Sequence, residues 1–292
     1  MADPAPPFSG SAMVRLRAGD ILGKVGYLRA GTGPVVVLIH GVGMHAQIWA
    51  PQITALAAHY DVIALDMLGH GRSMLPPDPP ALADYADAVI GVLDALDVPK
   101  AALIGHSMGA LVALQAGLQH ADRVERLVAM NGVFQRSPDL RRAVLARAEE
   151  LEEKGFSASI APTLARWFGD PVPEDLAAVC ALASDALQSV RVDGYRSTYA
   201  LFATSDETFA PSLHTLSMPA LFLTGALDAN SSPAMSHAMA ALAPLGRADI
   251  VPDARHMMAL THPDAINALL LAFLSETPAP LPHRDTLEHA GR

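Results

Sequence analysis

A glycine-rich turn between a strand-like and a helix-like segment constrains this chain more than any other feature. Residues 101–104 are apolar and suit a buried strand, Gly105-His-Ser-Met-Gly109 makes the turn, and an Ala/Leu segment suits a helix up to Leu114. A serine at the tip of such a turn needs a strained backbone with positive φ. Residues two positions away on either side then lie too close to the backbone for a β-carbon. The pattern predicts a Ser107 hydroxyl held at a helix N-terminus, where the Met108 amide faces developing negative charge.

Strand and helix patterns alternate along most of the rest of the chain. Residues 35–39 form an apolar, β-branched run, which is typical of a strand buried on both faces of a parallel sheet. Strands are predicted at 14–17, 21–29, 35–39, 61–65, 101–104, 124–130, 220–224 and 248–251. The alternation predicts an α/β fold with a mostly parallel sheet and helices on both faces.

The pattern changes between residues 135 and 212, which are rich in Ala, Arg and Glu and have helical spacing without a strand signal. We predict that this segment is a helical cap inserted into a core formed by residues 13–134 and 213–275. The Pro and Gly content of residues 1–12 predicts a flexible leader, and the Pro and polar residues of 276–292 predict a loosely held tail.

Composition limits the classes of binding partner that we expect. The net charge of −10 argues against nucleic acid and anionic membranes. A single cysteine, Cys180, excludes an internal disulfide, and residues 1–13 lack the apolar run of a signal peptide. The expectation is a cytoplasmic protein with a small-molecule substrate, no nucleic-acid or membrane partner and no metal or organic cofactor. A homodimer is left open.

Two further side chains follow predicted strands. Asp228 comes after the strand at 220–224, and His256 comes after the strand at 248–251. Ligands of open α/β sheets bind beyond the carboxyl ends of the strands, and a catalytic serine needs a base that is oriented by an acid. The order Ser107, Asp228, His256 therefore predicts a catalytic triad. Asp249 and Asp253 are rival acids, although Asp253 suits a loop.

A second glycine-containing turn, His40-Gly-Val-Gly43, directly follows the strand at 35–39. A backbone amide in such a turn can face the serine, and Val42 is the best candidate for a second oxyanion donor. The loop Asp66-Met-Leu-Gly-His-Gly-Arg-Ser73 after the next strand is tight, and its Asp66, His70 and Arg72 are interpreted as structural.

Together these motifs resemble the α/β-hydrolase fold superfamily over nearly all of residues 20–275. The resemblance rests on His40-Gly-Val-Gly43, Asp66-Met-Leu-Gly-His-Gly-Arg-Ser73, Gly105-His-Ser-Met-Gly109, Gly225-Ala-Leu-Asp228 and Arg255-His256-Met257. The chain looks most like small capped bacterial carboxylesterases, enol-lactonases and carbon–carbon hydrolases. The resemblance implies an eight-stranded sheet with a cap over the site. It also implies that Ser107 is the nucleophile, His256 the base and Asp228 the acid, with the Val42 and Met108 amides as oxyanion hole. Arg255 stands where glycine is common.

The predicted function is hydrolysis of a carboxylic ester or lactone of a small, largely apolar substrate through an acyl-enzyme on Ser107. The alternative is hydrolysis of a carbon–carbon or amide bond by the same triad. A binding protein without turnover is a weaker hypothesis, because a binder does not need all three triad residues. Perhydrolysis or haloperoxidation without a cofactor is also weaker, because it would be a side activity of the same serine that needs peroxide and an organic acid.

Substrate contacts are predicted for Phe134, Arg166, Trp167 and Met257. The aromatic and Met side chains offer an apolar lining. Arg166 either belongs to a solvated basic face or points inward to hold a substrate carboxylate.

Overall fold

The computed structural model describes residues 8–15 and 22–277. Its eight strands form one sheet in the order β1-β2-β4-β3-β5-β6-β7-β8. The strands are β1 Phe8–Arg15, β2 Leu22–Ala30, β3 Val35–Ile39, β4 Asp61–Leu65, β5 Ala101–His106, β6 Val124–Met130, β7 Ala220–Gly225 and β8 Gly246–Val251. Strand β2 pairs antiparallel with β1 and β4, and all the other pairs are parallel. The predicted mostly parallel, eight-stranded α/β sheet is therefore confirmed.

Ten helices accompany the sheet in the described part of the chain. They are α1 Ala50–Leu56, α2 Leu82–Ala95, α3 Met108–Gln119, α4 Pro138–Lys154, α5 Ile160–Phe168, α6 Ala177–Gln188, α7 Val192–Thr204, α8 Pro233–Leu242, α9 Met258–Thr261 and α10 Pro263–Ser275. Because successive side chains of a strand point to opposite faces, the apolar run of β3 feeds two cores. Val36 and Leu38 pack with residues of α1 and α10, whereas Val37 and Ile39 pack with residues of α2 and α3.

The segment between β6 and β7 holds helices α4 to α7. Helix α4 packs against α7, and α5 packs against α6. Apolar residues of these helices, such as Phe168 and Phe202, join the core that covers the α2 and α3 face of the sheet. The four helices therefore lie on the core as part of one continuous apolar cluster.

The two ends of this helical segment meet at Asp206. The backbone N–H of Gln135 donates to the Asp206 carbonyl at 2.8 Å, and the backbone N–H of Arg136 donates to the Asp206 carboxylate at 2.8 Å. The Arg136 guanidinium lies 3.2 Å from the same carboxylate, and both side chains are almost completely buried. Arg141 adds a second guanidinium at 3.1 Å. This cluster ties the start of the segment to its end.

The predicted termini need one correction. Strand β1 begins at Phe8, so residues 8–12 of the predicted leader lie in a strand that pairs with β2. Residues 1–7 of the leader, residues 16–21 of the predicted first hairpin and residues 278–292 of the tail lie outside the described part of the chain. The tail's first residue, Glu276, forms an ion pair of 2.8 Å with Arg247.

None of the helices within residues 8–15 and 22–277 has the length and apolar character needed to cross a membrane.

We predict that Asp206→Asn lowers the free energy of unfolding by about 3–5 kcal/mol, because the buried Arg136 charge loses its counterion. Urea denaturation measures this change. The matched control is Glu207→Gln, which removes an exposed carboxylate that pairs with Arg141 and should cost less than about 1 kcal/mol. Equal effects of the two substitutions would contradict the role given to Asp206.

Candidate active site

The turn at Ser107 has the strained geometry that the sequence predicts. Ser107 lies between β5 and α3 with φ 55° and ψ −115°. A β-carbon on Gly105 would lie 1.9 Å from the Gly109 carbonyl oxygen, and one on Gly109 would lie 2.1 Å from the Ile39 carbonyl oxygen. Both positions therefore require glycine. The serine lies at the end of a central strand of the sheet, because β5 lies between β3 and β6.

The carboxyl ends of five neighbouring parallel strands supply the site. His40 follows β3, Ser107 follows β5, Asn131 follows β6, Asp228 comes shortly after β7, and His256 comes shortly after β8. These strands are consecutive in the sheet. Residues that are far apart in the sequence therefore meet at one edge.

His256 and Asp228 form a buried pair. The distance from His256 Nδ1 to Asp228 Oδ2 is 2.8 Å. Because an ionised carboxylate only accepts hydrogen bonds, Nδ1 carries a proton, and whenever the imidazole is neutral Nε2 keeps its lone pair. Of the two rival acids, Asp249 lies 3.3 Å from Arg247, and Asp253 sits in the loop after β8 with φ 56°. The structure thus places Asp228 at the imidazole.

Two further groups hold the Asp228 carboxylate. Asn131 Nδ2 donates to Oδ2 at 2.7 Å, and the backbone N–H of Asn230 donates to Oδ1 at 2.8 Å. Burial alone would raise the pKa of this carboxyl. The charge of His256 and the hydrogen bonds from His256, Asn131 and Asn230 outweigh burial and hold the pKa below its ordinary value. Sequence reasoning missed Asn131, and the only signal was its place at the end of a predicted strand.

The turn that carries Val42 lies against the serine. A β-carbon on Gly41 would be 3.1 Å from the Ser107 β-carbon. The next amide along, the Gly43 N–H, donates to His70 Nε2 at 3.0 Å. His40 spans the base of the turn, since its Nδ1 donates to the Gly41 carbonyl at 2.7 Å while its Nε2 accepts from Met67 N–H at 2.9 Å. Both imidazoles accept a backbone N–H and are therefore neutral.

Burial explains the acid–base behaviour of these two histidines. It is the main cause that lowers the pKa of His40 to about 3, and the repulsion that a protonated His70 would exert adds to it. Burial likewise lowers the pKa of His70 to about 4. Asp66, which was predicted to be structural together with His70 and Arg72, accepts from Ala46 N–H at 2.8 Å and from Arg72 Nε at 3.0 Å. The predicted structural loop thus braces the turn that contains Val42.

His106, next to the serine, contacts the histidine loop. Its Nε2 donates to the His256 backbone carbonyl at 2.8 Å, and the two ring centroids are 4.9 Å apart. Burial, and then the charge of His256, lower the pKa of His106 to about 3. Sequence analysis gave this residue no role, because its partner lies far along the chain. The contact fixes the backbone from which the His256 ring projects.

Two adjoining cavities lie above the serine. The inner cavity measures about 40 Å³ and the outer cavity about 260 Å³. The inner cavity alone is lined by Val42, Ser107, Trp167, Phe202, Asn230 and His256. A shared wall of Arg147, Thr163, Arg166, Tyr195 and Tyr199 lines both cavities. The outer cavity is otherwise lined by residues of α4, of the segment leading into α5 and of α5 itself, including Glu150, Ser159 and Pro162.

The predicted substrate contacts divide into two pairs. Arg166 and Trp167 line the inner cavity, and the Trp167 ring stacks on the His256 ring at 5.9 Å with 24° between the planes. The predictions for Phe134 and Met257 need correction, since both side chains are buried in the apolar core and line neither cavity. Each gains more by packing against apolar neighbours than a position beside the polar serine would allow.

The fold and this edge of the sheet define a class of protein. A model of the alpha/beta hydrolase fold family matches residues 34–263. The chain therefore belongs to the α/β-hydrolase fold family, and it is a hydrolase.

Individual members of this family are similar to the chain over most of its length. The chain is 38% identical to (E)-2-((N-methylformamido)methylene)succinate hydrolase of Acinetobacter baylyi over 86% of this chain and 94% of that protein. It is 29% identical to 3-oxoadipate enol-lactonase 1 of the same organism, over 75% of this chain and 80% of the relative. The crystal structure of the enol-lactonase from Burkholderia xenovorans superimposes with a TM-score of 0.81 at 28% identity, covering 91% of this chain and 100% of that one.

We predict that the free energy of unfolding falls as the pH drops below 6.5. The unfolded chain binds protons in this range, whereas His40, His70 and His106 stay unprotonated in the folded protein because burial lowers their pKa values. Their stabilising contribution is complete above pH 6.5 and is lost towards the folded pKa values of about 3 to 4. Each should cost about 2 kcal/mol between pH 6.5 and pH 5. Urea titrations across this range measure the effect.

The variant His70→Gln provides the comparison, since it removes one titrating group. Its stability should fall less steeply, by about 1 kcal/mol for each pH unit between 6 and 5. A slope identical to that of the native protein would show that His70 is not buried as a neutral imidazole.

Proposed function

We propose that this hydrolase forms an acyl-enzyme on Ser107 and cleaves a carboxylic ester or lactone of a small, carboxylate-bearing substrate. The observation that carries the proposal is that Ser107 and His256 line one cavity while His256 Nδ1 lies 2.8 Å from the buried Asp228 carboxylate. A neutral imidazole oriented in this way presents Nε2 as the base for a nearby hydroxyl.

The proposed reaction has two halves. In the first, His256 accepts the Ser107 proton while the hydroxyl oxygen attacks the substrate carbonyl. The bond to the leaving group then breaks, and His256 passes its proton to that group. In the second half, His256 takes a proton from water, the hydroxide attacks the acyl-enzyme, and Ser107 regains its proton as the acid leaves. Asp228 stabilises the imidazolium in both halves.

The oxyanion of each tetrahedral intermediate would accept from the Val42 and Met108 amides. Met108 is the first residue of α3, so its N–H has no partner within the helix and the helix dipole favours negative charge there. The Val42 turn is braced by hydrogen bonds to His40 and His70. Donors that are fixed before the reaction cost no reorganisation, and each is worth about 3 kcal/mol.

Two cationic side chains in the shared wall favour a substrate that carries a carboxylate. Arg166 donates to Pro162 O at 3.0 Å and to Thr163 Oγ1 at 2.8 Å, and Arg147 donates to the Tyr199 hydroxyl at 3.2 Å. Among the side chains that the structure describes, no carboxylate forms an ion pair with either guanidinium. The site is therefore more polar than the largely apolar pocket that the sequence predicts.

An amide-type bond is the second candidate. It is favoured by the relative from Acinetobacter baylyi that is 38% identical over most of both chains and is named for an N-methylformamido compound of succinate. The same acyl-enzyme chemistry applies, with an amine or enamine nitrogen accepting the proton from His256. The carbon–carbon alternative gains nothing from the three relatives described above, since none is named for such a bond.

We predict that Ser107→Ala abolishes turnover of short-chain 4-nitrophenyl esters and blocks labelling by a fluorophosphonate probe, because no other group takes over the nucleophilic attack. The loss should be at least about a thousandfold in kcat. The control is Ser184→Ala, which alters a serine on α6 that bonds to Gln188 and should leave both signals intact. Full turnover in Ser107→Ala would remove this serine as the nucleophile.

We also predict that Arg166→Ala lowers kcat/KM for carboxylate-bearing esters by about tenfold to a hundredfold, because a charge-assisted hydrogen bond is lost. Matched neutral esters should change by less than about threefold, which a side-by-side assay of each pair measures. Parallel losses on both kinds of ester would reject carboxylate binding by Arg166.

A further inference from the structure

The two cavities differ in size and in charge, and the scissile carbonyl must lie at their inner end. Attack requires the carbonyl carbon to be close to Ser107 Oγ, and only the inner cavity reaches that atom. At about 40 Å³ this cavity is small. A cavity needs roughly 10–15 Å³ to hold one water-sized group, so about three such groups fit. The carbonyl and one small substituent fill this space.

Among the residues that the structure describes, the space that adjoins the inner cavity past the residues of the shared wall is the outer cavity of about 260 Å³, and the rest of the substrate can extend into it. That wall carries both guanidinium groups. Burial, and next the charge of Arg147, lower the pKa of Arg166 below its ordinary value. Two like charges that disfavour each other in a half-buried wall are stabilised by an anion between them. The wall is therefore suited to a negatively charged part of the substrate.

The position of His256 decides which side of the carbonyl faces this wall. In the proposed reaction the leaving group takes its proton from His256, so the leaving atom must lie beside the imidazole. The Trp167 ring stacks on that imidazole, and the Arg166 side chain lines the same inner cavity as His256. The leaving group thus lies on the side of the cavity that continues towards the arginines. The acyl substituent is left with the remaining inner space.

We infer that the substrate is a short-chain acyl compound, formyl or acetyl, of an anionic leaving group whose carboxylate binds Arg147 and Arg166. This inference rests on the proposed function and adds to it the assignment of the two halves of the substrate. The bond that breaks joins the carbonyl carbon to the leaving oxygen or nitrogen. The leaving group departs with a proton from His256, and the short acid is released after attack by water.

The test is a set of phenyl esters, each rate being divided by its rate with hydroxide. In 4-acetoxybenzoate the carboxylate is on the leaving group, in monophenyl succinate it is on the acyl half, and phenyl acetate is neutral. We expect kcat/KM for 4-acetoxybenzoate to exceed both others by about tenfold or more. Lengthening the acyl chain to 4-butyryloxybenzoate should lower kcat/KM by about tenfold, because the inner cavity is overfilled.

Variants assign the effects to residues. Arg147→Met should remove the preference for 4-acetoxybenzoate over phenyl acetate. The matched control is Arg142→Met on the same helix, whose exposed guanidinium pairs with Asp139 and whose loss should leave the preference intact. Phe202 lines only the inner cavity, so Phe202→Val should raise the butyryl rate relative to the acetyl rate. The acyl series on the native protein stands without this variant if it does not fold.

The outcomes distinguish a failure of the proposed function from a failure of the assignment of the two substrate halves. If Ser107→Ala keeps its activity, or if no ester is turned over, the proposed function fails and this inference fails with it. If Ser107 is essential but monophenyl succinate or the butyryl ester reacts as fast as 4-acetoxybenzoate, the proposed function stands and the assignment of the two halves is overturned.

Discussion

The close approach of backbone at Gly105 and Gly109 is the constraint on which the rest of this structure depends. A residue with φ 55° is strained, at a cost of order 1–3 kcal/mol, and it persists only where its surroundings determine it. Here β5 is held between two strands, and α3 begins against the end of β3. The sheet thus supplies the stability that keeps one hydroxyl at the wall of the inner cavity. The neighbouring strand ends then bring Asn131, Asp228 and His256 within reach.

Neutral histidines form much of the support around that hydroxyl. His40 and His70 brace the turn of Val42, and His106 holds the backbone of His256. An imidazole suits this work because it can accept a backbone N–H on one side and donate on the other. A charged group could not be buried there without a partner. The arrangement rigidifies the site while leaving His256 as the imidazole at the serine.

Local patterns predicted the fold well and the site in part. The apolar run of β3, the glycines around Ser107 and the change of composition after β6 are all local signals, and each indicates its element. The contacts of His106 and Asn131 were not predictable, because their partners lie at the ends of other strands and hydrogen bonding leaves no periodic trace. Phe134 was misassigned since an aromatic residue after a strand looks the same whether it faces a cavity or the core. The predicted strand began at residue 14, whereas β1 begins at Phe8. The extra residues are held in the strand by pairing with β2, including Gly10 opposite Tyr27, and their local propensity does not indicate this.

The junction at Asp206 has a consequence for how such a chain can diversify. The polypeptide leaves the sheet and returns to it at nearly the same point, so the segment from Gln135 to Asp206 is an excursion whose two ends are tied together at Asp206. Closing a longer loop costs little extra entropy. A different set of helices could therefore replace this one and line the two cavities with other side chains. The strands and the strained serine beneath the helices would remain as they are.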